Sequence, residues 1–136
     1  MKNVVVFLLF FVSSHITFAQ SGAFDFAKSE NLDKTKTIGV RKERKDKYGY
    51  NSLIERWLLK TGYSVGSDFT SFYAVEYLVG PQPVRRGADD FTFRIKVYEV
   101  TSGKLIASAS IVSRSKNEIL DNLDRYVSEF FNKAAN

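Results

Sequence analysis

The segment FTFRIKVYEVTSGKLIASASI at residues 91–111 gives the clearest structural prediction in this chain. It contains two runs in which apolar and polar side chains alternate with a period of two. Such alternation is typical of β-strands that are buried on one side. The four residues TSGK at 101–104 lie between the runs, and Gly103 suits the turn position that needs a positive φ angle. The sequence therefore predicts a β-hairpin.

The alternation also assigns the hairpin side chains to two faces. The predicted apolar face consists of Phe91, Phe93, Ile95, Val97, Leu105, Ala107, Ala109 and Ile111. The opposite face consists of Thr92, Arg94, Lys96, Tyr98, Ile106, Ser108, Ser110 and Val112. Antiparallel sheets commonly pack one face on the core and leave the other in water. We therefore expect the second face to meet solvent or a partner.

Further strand candidates precede the hairpin. Residues 72–79 are rich in aromatic and β-branched side chains on both faces, which predicts a central strand. Residues 37–40 and 63–66 are shorter candidates. Residues 80–90, GPQPVRRGADD, hold both prolines of the chain and predict an irregular loop.

Two helices are predicted from a spacing of three to four residues between apolar side chains. In residues 51–61, the apolar side chains of Leu53, Ile54, Trp57 and Leu58 share one face, and Trp57 is the expected anchor in the core. Ser52 with Glu55 forms a candidate capping box. Residues 115–134 carry a longer apolar stripe, with a second candidate capping box at Ser115 and Glu118. The stripe consists of Ile119, Leu120, Leu123, Val127, Phe130 and Phe131.

The predicted order is β-α-β-β-β-β-α, an α+β fold in which two helices pack on one face of a mainly antiparallel sheet. We expect residues 34–136 to form this single domain and residues 20–33 to be a poorly ordered lead-in.

The first 19 residues predict a cleaved signal peptide. Lys2 precedes the apolar run VVVFLLFFV at 4–12, and Thr17 and Ala19 stand at positions −3 and −1 of a cut before Gln20. The run is far shorter than the ~20 residues of a membrane-spanning helix. The chain has no cysteine, so the acylated cysteine of a bacterial lipoprotein is excluded. We expect a soluble periplasmic or secreted protein with no transmembrane segment after cleavage.

Cleavage would remove Met1 and His15, so the mature protein would contain no histidine, cysteine or methionine. Nucleophilic systems that depend on histidine or cysteine are then excluded, as are zinc and haem sites built from these residues. We expect a non-catalytic protein with no cofactor and no metal.

The net charge of +5 is concentrated in residues 34–47, which hold seven basic and two acidic residues. Within this segment, Arg41, Lys42, Arg44 and Lys45 are candidates for binding an acidic protein, anionic lipid or anionic glycan. The alternative is a solvated charged run. Export makes nucleic acid an improbable partner, so the expected partner is another envelope or secreted protein.

A small-ligand or anionic glycan site is the second hypothesis. Arg85 and Arg86 in the loop can bind a carboxylate or phosphate, and Tyr48 and Tyr50 flank Gly49 beside the basic segment. The alternatives are a plain exposed loop and core aromatic residues. The least favoured hypothesis is a carboxylate-dependent hydrolase that uses Asp89 and Asp90 with Asp68 or Glu76.

Two segments carry a resemblance to known domains. Residues 53–65, LIERWLLKTGYSV, resemble a helix–break–strand unit, and residues 95–110, IKVYEVTSGKLIASAS, resemble a strand–turn–strand unit of small bacterial envelope domains. These domains occur in curli-secretion pore subunits, in outer-membrane activators of penicillin-binding proteins and at the N-terminus of the Tol–Pal propeller protein. The resemblance implies a non-catalytic protein-binding domain of the cell envelope.

Overall fold

A six-stranded sheet with helices on one side forms the described part of the chain. The computed structural model describes residues 24–42, 46, 49–67, 69–82 and 90–136. The strands are β1 (Asp25–Lys28), β2 (Thr37–Val40), β3 (Ser64–Gly66), β4 (Tyr73–Gln82), β5 (Asp90–Glu99) and β6 (Leu105–Ser113). The helices are α1 (Tyr50–Lys60), α2 (Lys116–Asp121) and α3 (Leu123–Ala135). The predicted signal peptide lies outside the described residues.

The strand order across the sheet is β1-β6-β5-β4-β2-β3. Pairing is antiparallel from β1 through β6 and β5 to β4, whereas β2 runs parallel to both β4 and β3. The prediction of an α+β fold with a mainly antiparallel sheet is confirmed. The strand predicted from residues 72–79 is β4, and it lies inside the sheet between β5 and β2 as expected.

The core lies between the sheet and the helices. From the hairpin, the side chains of Phe93, Ile95, Val97 and Ile111 point into it, and each is almost completely buried. The helices contribute Ile54, Leu58, Ile119, Val127, Phe130 and Phe131, which are fully buried. The predicted apolar faces of the hairpin and of both helices therefore form one core.

Leu105 departs from the predicted face and is 47% exposed. The register of β5 and β6 pairs Val97 with Ala107 but Tyr98 with Leu105, so Ile106 is an extra residue in β6. Such a β-bulge turns the side chains on either side of it out of strict alternation. Ile106 and Ala107 are consequently both buried, and Leu105 joins the opposite face.

The segment predicted as a poorly ordered lead-in contains a strand. β1 pairs with β6 at the edge of the sheet. The ring of Phe26 lies 6.0 Å from that of Phe130, and the ring of Phe24 lies 6.4 Å from that of Tyr126. The folded unit therefore begins before residue 34. Four residues carry too little pattern to predict this strand, because its partners lie far away in the sequence.

β4 and β5 extend into residues 80–90, which the sequence predicted to be an irregular loop. Gly80, Pro81 and Gln82 continue β4 opposite Thr92, Phe91 and Asp90, and residues 83–89 lie outside the described part. Among described residues, β2 pairs with β4 only as far as Val75. Pro81 is compatible with a strand there because proline is tolerated at strand edges.

The start of α1 differs from the prediction. α1 begins at Tyr50, and Ser52 lies inside it without capping it. The carboxylate of Asp46 instead accepts hydrogen bonds from the backbone N–H groups of Tyr50 (2.9 Å) and Asn51 (3.0 Å). The predicted Ser52–Glu55 capping box is therefore wrong. A side-chain acceptor before the helix has already satisfied its first N–H groups.

The second predicted helix is divided at Asn122 into α2 and α3. The side-chain amide of Asn122 donates to the carbonyl oxygen of Glu118 at 2.8 Å. This carbonyl would otherwise accept the backbone N–H of residue 122, so the side chain competes with the helix. At the start of α2, Ser115 accepts from the backbone N–H of Glu118, which is the serine half of the predicted capping box. The backbone N–H of Ser115 donates to Oγ of Ser113 at 3.0 Å, and Ser113 in turn donates to the carboxylate of Glu118.

Candidate binding site on the open face of the sheet

The sheet has one face without a helix in the part of the chain that the structure describes. We call it the open face and define it by the outward side chains of four strands and the two residues after β2. These residues are Asp25, Ala27, Arg41, Lys42, Glu76, Leu78, Arg94, Lys96, Ser108 and Ser110. They line a groove with a cavity volume of about 710 Å³. This volume falls within the range of about 300–1,000 Å³ that is usual for ligand sites.

The strand register arranges these side chains in two adjacent rows. In one row Asp25, Ser110, Arg94 and Leu78 lie opposite one another, and in the other Ala27, Ser108, Lys96 and Glu76 do so. Side chains two residues apart on a strand lie on the same face, about 7 Å apart. The central strands β5 and β6 therefore place two cations beside two hydroxyl groups.

Glu76 is the centre of a polar network in the second row. Its carboxylate lies 2.7 Å from Nη1 of Arg41 and 3.0 Å from Nζ of Lys96, and it accepts a hydrogen bond of 3.1 Å from the hydroxyl of Tyr98. The guanidinium of Arg41 also lies over the ring of Tyr98, 4.9 Å from its centroid. These contacts fix the chain after β2 against β4 and β5.

The pKa of Glu76 is lowered from its ordinary value. Burial by itself acts in the opposite direction, but hydrogen bonds from Lys96 and Tyr98 and the charges of Lys96 and Arg41 outweigh it. Glu76 is therefore ionised at neutral pH and neutralises part of the positive charge around it.

The polar side chains of the first row have fewer hydrogen-bond and ion-pair partners than those of the second row. Arg94 is exposed, and neither it nor Lys42 has an ion-pair or hydrogen-bond partner among the described residues. The hydroxyls of Ser108 and Ser110 likewise have no partner there, although both residues are half-buried. Hydroxyls and a guanidinium that face one groove can together bind an anionic oxygen.

The structure brings only some of the predicted site residues together. Arg41 and Lys42 line the groove, whereas Arg44, Lys45, Tyr48, Arg85 and Arg86 lie outside the described residues. Tyr50 is 7% exposed and packs edge-on against Tyr77, with ring centroids 6.4 Å apart. The structure therefore corrects the assignment of Tyr50 to an aromatic binding surface, because its ring belongs to the core.

Sequence analysis did not identify Arg94, Lys96, Ser108 and Ser110 as site residues, although it placed them on one polar face. Alternation along each strand shows which side a residue occupies. It does not show whether a helix covers that side, and it does not show which residues lie opposite on the next strand. Only the register supplies those neighbours.

The carboxylates considered for hydrolysis are not brought together where they are described. Glu76 lies opposite Lys96, and Asp90 is at the far end of β5. Six residues of strand separate Lys96 from Asp90, which corresponds to about 20 Å. Paired glycosidase carboxylates lie about 5 to 9.5 Å apart. Asp68 and Asp89 lie outside the described residues.

The described residues hold neither a cluster of metal-ligand side chains nor a membrane-spanning helix. No group of three or more acidic, histidine or cysteine residues in these ranges is arranged to hold a metal ion. Of the helices within the same ranges, none has the length and apolar character needed to cross a membrane.

Comparison with known proteins shows likeness at the level of the fold. The chain matches no protein-family model and no curated protein. A dodecamer of a PelC point variant from Paraburkholderia phytofirmans is similar in structure, with a TM-score of 0.57 and 12% identity over 85% of this chain and 99% of that one. A second PelC dodecamer structure from the same organism gives a TM-score of 0.52 and 13% identity over 83% and 94% of the two chains.

A PDZ domain protein from Parabacteroides distasonis is also similar, with a TM-score of 0.53 and 15% identity over 82% of this chain and 34% of that chain. At these identities the likeness shows a shared fold and nothing about activity. The same arrangement of sheet and helices is therefore found in PelC and within a larger protein.

Proposed function

We propose that this chain is an exported, non-catalytic protein-binding or assembly module of the cell envelope that holds its partner on the open face. The observation that carries the proposal is the groove of about 710 Å³ on this face, in which the cations of β5 lie beside the hydroxyls of Ser108 and Ser110 on β6. The envelope location is supported by the predicted leader and by the resemblance of residues 53–65 and 95–110 to envelope domains.

The composition of the open face supports a protein as the partner. Leu78 is 47% exposed within the groove, and Val112, which follows Ser110 on the same side of β6, is 39% exposed. Exposed apolar side chains beside arginine and hydroxyl groups are typical of protein interfaces. The occurrence of this fold in PelC dodecamers supports an assembly role, because there the fold is part of a complex of many copies.

The small-ligand hypothesis receives less support. Of the four residues on which it depended, Tyr50 is in the core, and Tyr48, Arg85 and Arg86 lie outside the described residues. The exposed guanidinium of Arg94 can still bind an anion, so an anionic small molecule is retained as an outcome of the experiments below.

Site-specific cross-linking in the cell tests the proposed function. A photoreactive p-benzoylphenylalanine is placed at Ser108 in the groove and, as a matched control, at Ser52 on the exposed side of α1. We expect irradiation to give a discrete protein adduct from the first position and none from the second. Identical patterns at both positions, or uncross-linked protein only, would rule out binding through the open face.

Export is tested separately by measuring the intact mass of the native protein. We expect a species that begins at Gln20. A mass that includes residues 1–19 would contradict cleavage and the proposed soluble state.

A further inference from the structure

We infer that the open face binds an acidic protein segment, whose carboxylates contact Arg94 and the adjacent serines and whose apolar side chain covers Leu78. This inference rests on the proposed function and specifies the chemistry of the partner.

The groove carries an excess of positive charge. Its lining contains four basic residues and two acidic residues. One of the acids, Glu76, already forms ion pairs with both Arg41 and Lys96. The other, Asp25, lies on the edge strand β1, separated from Arg94 by β6. Within the described ranges, positive charge therefore remains unpaired at Arg94 and Lys42, and an anionic partner complements it.

The geometry of the hydrogen-bond donors in the groove favours a carboxylate. Ser110 lies directly opposite Arg94, and Ser108 lies opposite Lys96 on the same side of the two strands. Directly opposite residues on antiparallel strands have Cβ atoms about 5 Å apart. A carboxylate above this pair of strands can thus accept from a guanidinium and a hydroxyl at once, and charge-assisted hydrogen bonds of this kind are about twice as strong as neutral ones.

An exposed apolar side chain in the groove favours a protein segment over other anions. Leu78 is the direct neighbour of Arg94 on β4, so an exposed apolar side chain adjoins the charge of this guanidinium. An inorganic anion leaves this side chain in water, whereas a peptide can cover it with an apolar residue next to its carboxylate. The groove is also concave and contains Glu76 and Asp25, which favours a narrow segment over a flat anionic membrane.

A titration of the purified native protein tests this inference. The probe is a short soluble peptide of Glu, Leu and Gly, and its matched counterpart carries Gln in place of every Glu. We expect the acidic peptide to shift the amide NMR signals of β5 and β6 around Arg94 and Ser110, with an affinity that falls as salt is added. The Gln peptide should shift them much less.

Variants locate the contact. Arg94→Gln should weaken binding of the acidic peptide about tenfold, since one charge-assisted contact is lost. Arg56→Gln makes the same chemical change on the exposed side of α1 and should leave the affinity unchanged. Both side chains are exposed, so both variants should fold, which thermal unfolding verifies.

Several results would overturn the inference. The Gln peptide could bind as tightly as the acidic peptide, or Arg94→Gln and Arg56→Gln could lose the same affinity. Inorganic phosphate could bind as tightly as the acidic peptide. Phosphatidylglycerol vesicles could bind while the acidic peptide does not. The cross-linking experiment separates this failure from that of the proposed function. An adduct at Ser108 whose yield is undiminished in Arg94→Gln refutes the acidic segment alone, whereas the absence of any adduct refutes protein binding on this face.

Discussion

The indole ring of Trp57 stacks on the ring of Phe131, with centroids 5.0 Å apart and planes 20° from parallel. Tyr63 contacts both rings, at 6.5 Å from Trp57 and 5.9 Å from Phe131. Trp57 belongs to α1, Phe131 belongs to α3 and Tyr63 directly precedes β3, so the three rings connect these elements. Aromatic packing thus holds the helix layer together over the core face of the sheet.

The first prediction concerns this contact. Trp57→Ala should lower the free energy of unfolding by about 3–5 kcal/mol, because it removes a large side chain that is only 8% exposed and leaves a cavity. Urea denaturation measures the change. Leu59 lies two residues away on α1 and is 61% exposed. The control variant Leu59→Ala should therefore change stability by less than about 0.5 kcal/mol. Equal losses would show that Trp57 is not an anchor.

The second prediction separates the observed cap of α1 from the one expected from the sequence. Asp46→Ala should destabilise the protein by about 0.5–2 kcal/mol, since the N–H groups of Tyr50 and Asn51 lose their acceptor. Ser52→Ala should be nearly neutral, because Ser52 is exposed within the helix and does not cap it. The same denaturation experiment compares them, and a larger effect at Ser52 would contradict the structure.

The third prediction concerns alkaline pH. Burial, assisted by the charge of Tyr73, raises the pKa of Tyr63 from 10.0 to about 12. The neutral hydroxyl is therefore favoured in the folded state. Its contribution to stability is fully present below pH 10 and is lost as the pH rises through about 12.

The Tyr63→Phe variant tests this dependence. We expect wild-type stability to fall relative to the variant between about pH 10 and pH 12, followed by urea denaturation at each pH and by absorbance of the tyrosinate. At neutral pH the variant should be close to wild type, because the buried hydroxyl has no hydrogen-bond partner among the described residues. Parallel pH profiles would refute the raised pKa.

The fourth prediction concerns acid. Because the pKa of Glu76 is lowered in the folded protein, its contribution to stability is present above its unfolded pKa and is lost as the pH falls through the folded value. At pH 7, Glu76→Gln should cost about 0–1 kcal/mol for each of its two half-exposed ion pairs. The difference between variant and wild type should vanish in acid. A difference that is independent of pH would show that ionisation of Glu76 is unimportant.

Much of the fold could be predicted from local pattern. The alternation in residues 91–111 identified a hairpin, and the turn at Gly103 has the positive φ angle of 69° that glycine permits. The helical spacing of Leu53, Ile54, Trp57 and Leu58 identified the buried side of α1, on which Leu53 alone of the four is only partly buried. These features depend on residues close in sequence, so composition and period are sufficient to reveal them.

Other features depend on distant partners. β1 forms a strand because it pairs with β6 and because the ring of Phe26 packs against Phe130 of α3. Neither β6 nor α3 can be inferred from residues 25–28. The bulge at Ile106 moved Leu105 to the opposite face, which strict alternation cannot anticipate. Asp46 accepts a hydrogen bond from the first N–H group of α1, but it lies four residues before the helix and outside the helical pattern.

Local pattern was sufficient to predict the α+β class, the apolar faces and an export signal, and it shows that no histidine or cysteine follows residue 19. The packing of distant segments fixed which side of the sheet the helices cover. It also decided that Arg94 lies beside Ser110, and that Glu76 pairs with Arg41 and Lys96 rather than with Arg94. The physical reason is that periodicity fixes the orientation of a side chain on its own strand, whereas its neighbours are fixed by the register between strands.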